Sequence, residues 1–391
     1  MSSPPLQFTL KVAARCNLAC TYCYVYTKGD ETWRDRPHLM SEEVFTATIA
    51  RIREHCEIVG QRSIDVVFHG GEPCLMGSER FSRWCDRLRT ELSSVGHVNI
   101  TMQTNGVLID RAWAETFRRH EVTVGVSLDG PAAINDRLRV DHRGLGSHAR
   151  VLAGIGELRA ASVPVHLLCV VNPEQDPIDV HEHLVSLSPH SISYLMPDQT
   201  HFSIAATRRQ YGPTPCYDFL TRVLDHWWKH DPVTLTVQPF KLMAKVVLGG
   251  RAAVDYIGNN PYNYVFVEPD GSIEGLDVLR VCQPGLAQTG LNVRTSRFLD
   301  VANHSDLHRK MLFEGMPLPT GCRACPEAAT CAGGYVPHRW GPGGFDYPSA
   351  WCPDLLALFR RVRELLGVPA AETALRRRAL DELAEEVRKQ S

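Results

Sequence analysis

No stretch of this chain is apolar for long enough to cross a bilayer as a helix, which takes about 20 residues. The opening MSSPPLQFTLKV also lacks the charged start and long apolar core of a secretory signal. Charge of one sign is missing too: 44 acidic residues stand against 42 Lys and Arg, and the basic ones are scattered. Neither nucleic acid nor an anionic membrane surface therefore finds an electrostatic footprint. Internal repeats and low-complexity linkers are absent. These absences leave an ordinary soluble protein, with the cytoplasm as its expected location. Its 391 residues, 44% hydrophobic, suffice for one large α/β domain and a smaller appendage.

Cysteine, by contrast, is abundant: there are 13. In a reducing compartment clustered thiols read as metal ligands before disulfides. One cluster, Cys16, Cys20 and Cys23 in RCNLACTYCYVY, has C-x3-C-x2-C spacing. A second, Cys322, Cys325 and Cys331 in TGCRACPEAATCAGGY, is followed by Cys352. The six others stand singly; Cys56 and Cys85 in helical patterns and Cys169 in the strand-like VHLLCVV read as small buried hydrophobes.

Between the clusters, β-rich runs alternate with helical patterns: FTLKVAA with SEEVFTATIARIREHC, IDVVFHG with ERFSRWCDRLRTEL, VNITMQTNG with RAWAETFRRH. VTVGVSLDG, SHARVLAGIGELRAA, VPVHLLCVVN, DVHEHLVSLS and ISYLMP continue the alternation. This predicts six βα-type units, hence a parallel sheet with helices outside, open or curled into a partial barrel. Ligands bind such sheets at the carboxyl ends of the strands. There fall the first cysteine cluster, HGGEP, QTNG, SLDG and VVN. Beyond Pro197 come aromatic and proline-rich segments such as PTPCYDFLTRVLDHWWKHDP. A hairpin is expected around the PDG of YNYVFVEPDGSIEGLDVL, and the tail reads as amphipathic helix.

Three cysteines in one loop are one short of a complete set. An iron–sulfur cubane usually takes one thiolate per iron, so three leave an iron open to a substrate or cofactor. Structural zinc would want a fourth ligand close by, and His38 is the nearest histidine.

The segment Cys16-x3-Cys20-x-Tyr22-Cys23 resembles the signature of radical S-adenosylmethionine (SAM) enzymes. HGGEP, with Gly70, Gly71 and Glu72, resembles the family's GGEP turn; Asn105 in QTNG, Ser127 and Asp129 in SLDG, and Arg139 in DRLRV follow in the family's order. The resemblance implies a partial (β/α)6 radical SAM barrel. Cys16, Cys20 and Cys23 would hold a [4Fe–4S] cluster whose open iron is chelated by SAM. The GGEP backbone would receive the SAM amino group, Tyr22 would pack near the adenine, and Asn105, Ser127 and Arg139 would meet the ribose and carboxylate; Asn172 in VVNP is a further SAM contact or a turn residue. The glycines, Asn105 and Asp129 also suit plain turns. His69 reads as a packed histidine.

The C-terminal cysteines resemble the SPASM extension of radical SAM peptide maturases. Cys322, Cys325, Cys331 and Cys352 would bind one auxiliary [4Fe–4S] cluster. Tyr335 stands where a further cysteine would begin a second auxiliary site, and Cys282 is at most a stray ligand. The resemblance divides the chain into a core over 1–200, a bridge with hairpin over 201–315, and a SPASM-like segment with C-terminal helices over 316–391. Both ends are similar to the FxsB-like maturases, which implies a precursor-peptide substrate, an external donor such as flavodoxin or ferredoxin, and a three-residue cyclophane joining an aromatic ring to a β-carbon. From the early first strand no fused N-terminal peptide-recognition domain is expected, and the peptide is expected to dock on the catalytic domain or the bridge. Formylglycine formation, epimerisation and thioether formation begin with the same hydrogen abstraction; a non-catalytic zinc or iron–sulfur protein is the reading from another class. Asp346 and His338 sit in an aromatic stretch and are expected to be structural partners, leaving the catalytic base unassigned.

Overall fold

The computed structural model describes residues 6–252, 254–258 and 261–390. The chain forms two compact units. The first comprises Met1–Cys169, His183–Ser191 and Asn263–Glu314; the second comprises Val170–Glu182, Ile192–Tyr262 and Gly315–Ser391. The hairpin region beyond Asn263 thus groups with the N-terminal βα units.

The βα alternation is realised as the sequence rhythm implies. Strands β1 (Gln7–Ala13), β2 (Ser63–Gly70), β3 (His97–Thr104), β4 (Thr123–Ser127) and β5 (Val165–Val170) lie side by side in chain order, each neighbouring pair parallel. The sixth strand of the rhythm is β6 (Ser191–Leu195). Helices Glu42–Val59, Ser78–Leu92, Arg111–Arg119, His148–Ala160 and Pro177–Ser186 fill the intervals. Local chemistry sets their ends: Ser41 Oγ accepts from Val44 N–H, Asp110 Oδ1 from Trp113 N–H, and Gly60 closes the first helix at φ 71°. β1 is buried almost throughout, as a strand covered on both faces must be, whereas β2 and β3 alternate.

A short strand, β7 (Thr236–Val237), belongs to the second unit. On the other side of β1, strand β8 (Tyr264–Val267) pairs with it in parallel. The expected hairpin forms between β8 and β9 (Ser272–Glu274), turning at Gly271 with φ 87°, and β10 (Gln288–Asn292) extends it antiparallel to β9. The proline- and aromatic-rich segment PTPCYDFLTRVLDHWWKHDP is not irregular: Pro215–His230 is a helix burying Cys216, Phe219, Leu220, Val223 and Leu224.

The i, i+3, i+4, i+7, i+8 spacing of these buried residues outweighs the aromatic content, and Pro215 occupies the first helical turn, where its missing N–H costs nothing. The cap comes from another helix: Asp354 Oδ1, in Cys352–Leu366, accepts from Cys216 N–H at 2.8 Å and Tyr217 N–H at 3.0 Å. The tail is helical as expected, over Cys352–Leu366 and Ala370–Gln390. Cys56, Cys85 and Cys169 are buried, as are Cys74 and Cys216.

A buried ion network joins β1 to the hairpin. Lys11 Nζ lies 3.3 Å from Glu268 and 2.9 Å from Asp277; Arg36 pairs with Glu268 at 2.9 Å and with Glu274; Arg280 pairs with Glu268 at 2.7 Å, Asp30 at 3.5 Å and Glu274. Burial raises the Glu274 carboxyl above the usual carboxylate range and the Glu268 charge adds to it, against the pull of Arg280 and Arg36. Removing one partner from such a network leaves buried charge uncompensated. Lys11→Met is expected to cost about 3 to 5 kcal/mol, read as a lower urea midpoint at unchanged slope; a midpoint equal to that of the parent would show that the network adds nothing to stability.

Candidate functional site

The cysteine loop follows β1 and has little regular structure of its own, so other strand ends hold it. Gly71 N–H donates to Ala13 O at 2.7 Å and Glu72 N–H to Arg15 O at 3.0 Å, fixing the GGEP turn against the loop's start. Further along, Ala19 N–H donates to Val140 O at 2.7 Å and Thr21 N–H to Leu138 O at 2.9 Å, tying the loop to the segment that carries Arg139. His142 Nε2 lies 2.9 Å from Cys16 O. The glycines are required by space: a Cβ on Gly71 would stand 2.2 Å from Arg15 O and 2.1 Å from Tyr26 Oη, and one on Gly70, at φ 149°, 2.4 Å from Ala13 O.

The residues expected at the SAM pocket do not all come together. Tyr22, Asp129 and Arg139 meet: Tyr22 Oη donates to Asp129 Oδ2 and accepts from Arg139 Nη1 at 2.7 Å, with Arg139 Nη1 4.0 Å from Asp129. Arg139 is buried, and its Nε has no hydrogen-bond partner. Glu72 and Asn105 are partly taken up by the protein itself. The buried Glu72 carboxylate accepts from Cys74 N–H, Thr104 Oγ1 and Asn105 N–H at 3.0, 2.6 and 2.8 Å; its role in this geometry is to pin the β2 and β3 loops together. Asn105 Nδ2 donates to Asn17 Oδ1 at 2.7 Å and approaches Cys16 Sγ at 3.6 Å. Ser127 Oγ accepts from Gln103 Nε2 at 3.2 Å. Asn172 belongs to the second unit, and its Oδ1 accepts from Glu174 N–H at 3.1 Å, the turn use open to it from the sequence. Asn17 and His142 escaped sequence reasoning, since a single polar residue in a loop carries no pattern.

Cys16, Cys20 and Cys23 are free and half-buried. Burial and the Glu72 charge push the Cys16 thiol up to about 12; burial raises Cys20 and Cys23 as well. Ionising them therefore calls for a cation, which iron would supply. Leu18 N–H, 3.4 Å from Cys16 Sγ, and Asn105 Nδ2 are donors of the kind that stabilise cluster sulfur. Among the described residues no three Cys, His or carboxylate side chains converge on a single ion; a cubane instead offers separate irons to separate thiolates. The donor set fits a three-thiolate cluster, and the unpartnered Arg139 Nε fits an anionic group such as a carboxylate.

In the second unit, Cys322, Cys325, Cys331 and Cys352 line one pocket with Glu327, Ala328, Gly333, Pro348 and Leu356. Four free thiols around one largely apolar pocket fit a fully ligated cluster. Asp346 accepts from Thr320 N–H at 2.7 Å and Thr320 Oγ1 at 2.8 Å, and His338 Nε2 lies 3.3 Å from Asp198, so both have structural partners as expected. Tyr335 packs edge-on against His338, and Cys282 follows a short helical turn, Asp277–Val281, of the first unit.

Residues 10–187 match the family model described as the Radical SAM superfamily. Over these residues the chain thus carries a radical SAM domain, and with it the α/β architecture and the enzyme class that uses SAM with an iron–sulfur cluster. Among curated proteins it is 25% identical over 366 residues to a serine-type anaerobic sulfatase-maturating enzyme of Bacteroides thetaiotaomicron, covering 88% of this chain and 86% of that one. It is 25% identical over 342 residues to a cysteine-type anaerobic sulfatase-maturating enzyme of Clostridium perfringens, covering 85% and 89%. In fold it matches native anSMEcpe with bound AdoMet and Cp18Cys peptide, with TM-score 0.77 and 21% identity over 93% of this chain and 98% of that one. Streptococcus suis SuiB bound to precursor peptide SuiA matches with TM-score 0.59 and 16% identity over 90% and 76%. No helix among the described residues is long and apolar enough to cross a membrane.

Because the Gly71 contact is with backbone, it cannot relax by a rotamer change. Gly71→Ala is expected to dislodge the cysteine loop at a cost of about 1 to 3 kcal/mol, with helical circular dichroism retained and less iron taken up on reconstitution. Full iron loading in that variant would show that the loop can form without this close approach.

Proposed function

We propose that this enzyme matures a ribosomally made precursor peptide by closing a crosslink between an aromatic ring and a side-chain carbon, in the manner of a three-residue cyclophane. The observation that carries the reading is the thiol arithmetic: one loop of three cysteines among the SAM-pocket residues and one pocket of four, with Tyr335 where a further ligand would begin. Bound SAM and a reduced cluster supply a radical able to take hydrogen from an unactivated carbon. Cys16, Cys20 and Cys23 would hold that cluster, and Arg139 would orient SAM through its carboxylate. Cys322, Cys325, Cys331 and Cys352 would hold an auxiliary cluster, and a flavodoxin or ferredoxin would supply electrons.

A second reading, formylglycine-type oxidation, is favoured by the sulfatase-maturating enzymes among the relatives. Formylglycine formation from serine also removes two hydrogens, so mass alone does not separate it from the crosslink; from cysteine it exchanges sulfur for oxygen as well. With a peptide encoded beside the gene, the crosslink predicts a product about 2 Da lighter, with no backbone fragments inside a three-residue window and no aldehyde trapped by hydrazine. Fragmentation through every residue would overturn crosslinking in favour of a simple dehydrogenation or an aldehyde, and a hydrazone would single out the second reading. In the same preparation, changing Cys16, Cys20 and Cys23 together to Ala is expected to leave about half the iron and no SAM cleavage; iron near twelve per parent chain would mean a third cluster.

Arg139→Ala is expected to weaken SAM binding roughly ten- to a hundredfold, since a charge-assisted hydrogen bond is worth about 1.5 to 3 kcal/mol. Unchanged affinity would confine Arg139 to its contacts with Tyr22 and Asp129.

A further inference from the structure

Among the described residues Arg339 is a buried cation without a paired carboxylate. It ends the short helical turn Val336–Arg339, between Cys331 and Cys352, and is 2% exposed. Its Nε donates to Phe345 O at 3.1 Å and its Nη2 to Pro317 O at 2.8 Å, which fix the plane of the guanidinium. Its Nη1 is buried with no hydrogen-bond partner. Among the described residues no carboxylate forms an ion pair with it, and Asp346 acts on it only from a distance. Arg363 of the same unit differs, with its Nε 2.7 Å from Glu327. Taking a guanidinium out of water without a counter-charge is costly. Arg339 lies near the wall of the cysteine pocket: a Cβ placed on Gly333, which lines that pocket, would stand 3.8 Å from Nη1, and Cys322 and Cys331 act on the guanidinium electrostatically.

We propose that the counter-ion of Arg339 is the auxiliary iron–sulfur cluster, and that Nη1 donates a hydrogen bond to it that raises its reduction potential. The inference rests on the reading that the four thiols hold a cluster. Such a cluster with four thiolates is anionic, and reduction adds one more negative charge, so a fixed neighbouring cation favours the reduced form. Backbone carbonyls rather than carboxylates hold the other two donor edges, which leaves the positive charge undiminished.

The test uses the full chain with Cys16, Cys20 and Cys23 changed to Ala, so that one cluster remains, and an EPR-monitored redox titration. In this background R339Q is expected to lower the reduced-to-oxidised ratio at fixed poise about tenfold, which is 59 mV for one electron, while R339K keeps the potential closer to the parent's. A loaded R339Q cluster with unchanged potential overturns the inference and leaves the cluster reading standing. No iron at the second set in the parent overturns that reading and the inference with it. If R339Q takes up no iron, the parent labelled with [15N]arginine decides, in an R208K background because Arg208 also acts on Cys352. A 15N coupling to the reduced cluster supports the hydrogen bond, and its absence overturns it.

Discussion

The contact between the GGEP turn and the start of the cysteine loop is the constraint on which the first unit's site depends. Two backbones approach so closely that a single added carbon would stand 2.2 Å from Arg15 O. Two amide-to-carbonyl bonds then do what side chains could not, since the loop lacks regular structure over which to propagate order. From this contact the rest follows outward. Glu72, next to the glycines, is buried and binds the β3 loop through Asn105; Asn105 reaches Cys16; and the far side of the loop is held by the backbone of Leu138 and Val140, flanking Arg139. Glu72, Asn105 and Arg139 are thereby positioned against the loop that carries the cysteines.

The two thiol sets differ in how the protein meets the charge they would carry. Near the first, Arg139 is shared with Tyr22 and Asp129, so its positive charge is partly answered before any ligand arrives. Near the second, Arg339 donates its hydrogen bonds to backbone carbonyls alone. Elsewhere carboxylates pair freely with buried cations, as at Lys11, Arg36 and Arg280. The lack of one at Arg339 is therefore local, not a shortage of acids.

Much of this was legible in the sequence because the signals were periodic or repeated. The six strands of the βα rhythm, their helices and the hairpin at the PDG turn all form where alternation and turn chemistry place them. The helix Pro215–His230 was obscured by the prolines at its start and on either flank, while its apolar spacing is helical. Pairwise roles were hardest to read. Nothing local to Glu72 says that its oxygens go to Cys74, Thr104 and Asn105 rather than to a ligand, and nothing local to Arg339 says that it lacks an acid; both depend on residues brought together by the fold.

Burial of the thiols has a further consequence for assembly. Desolvation raises all three cysteines of the first loop, so without metal the neutral thiol is the stable form and the loop carries little charge. Iron binding must then release protons, which couples loading to pH in the direction of tighter binding as pH rises. The same burial that opposes ionisation shields a bound cluster from water, and the N–H donors of Leu18 and Asn105 are already directed at Cys16 before the metal arrives. The loop is thus organised by its neighbours, and the metal supplies the one element they do not, a positive charge large enough to hold three thiolates in a place built for neutral groups.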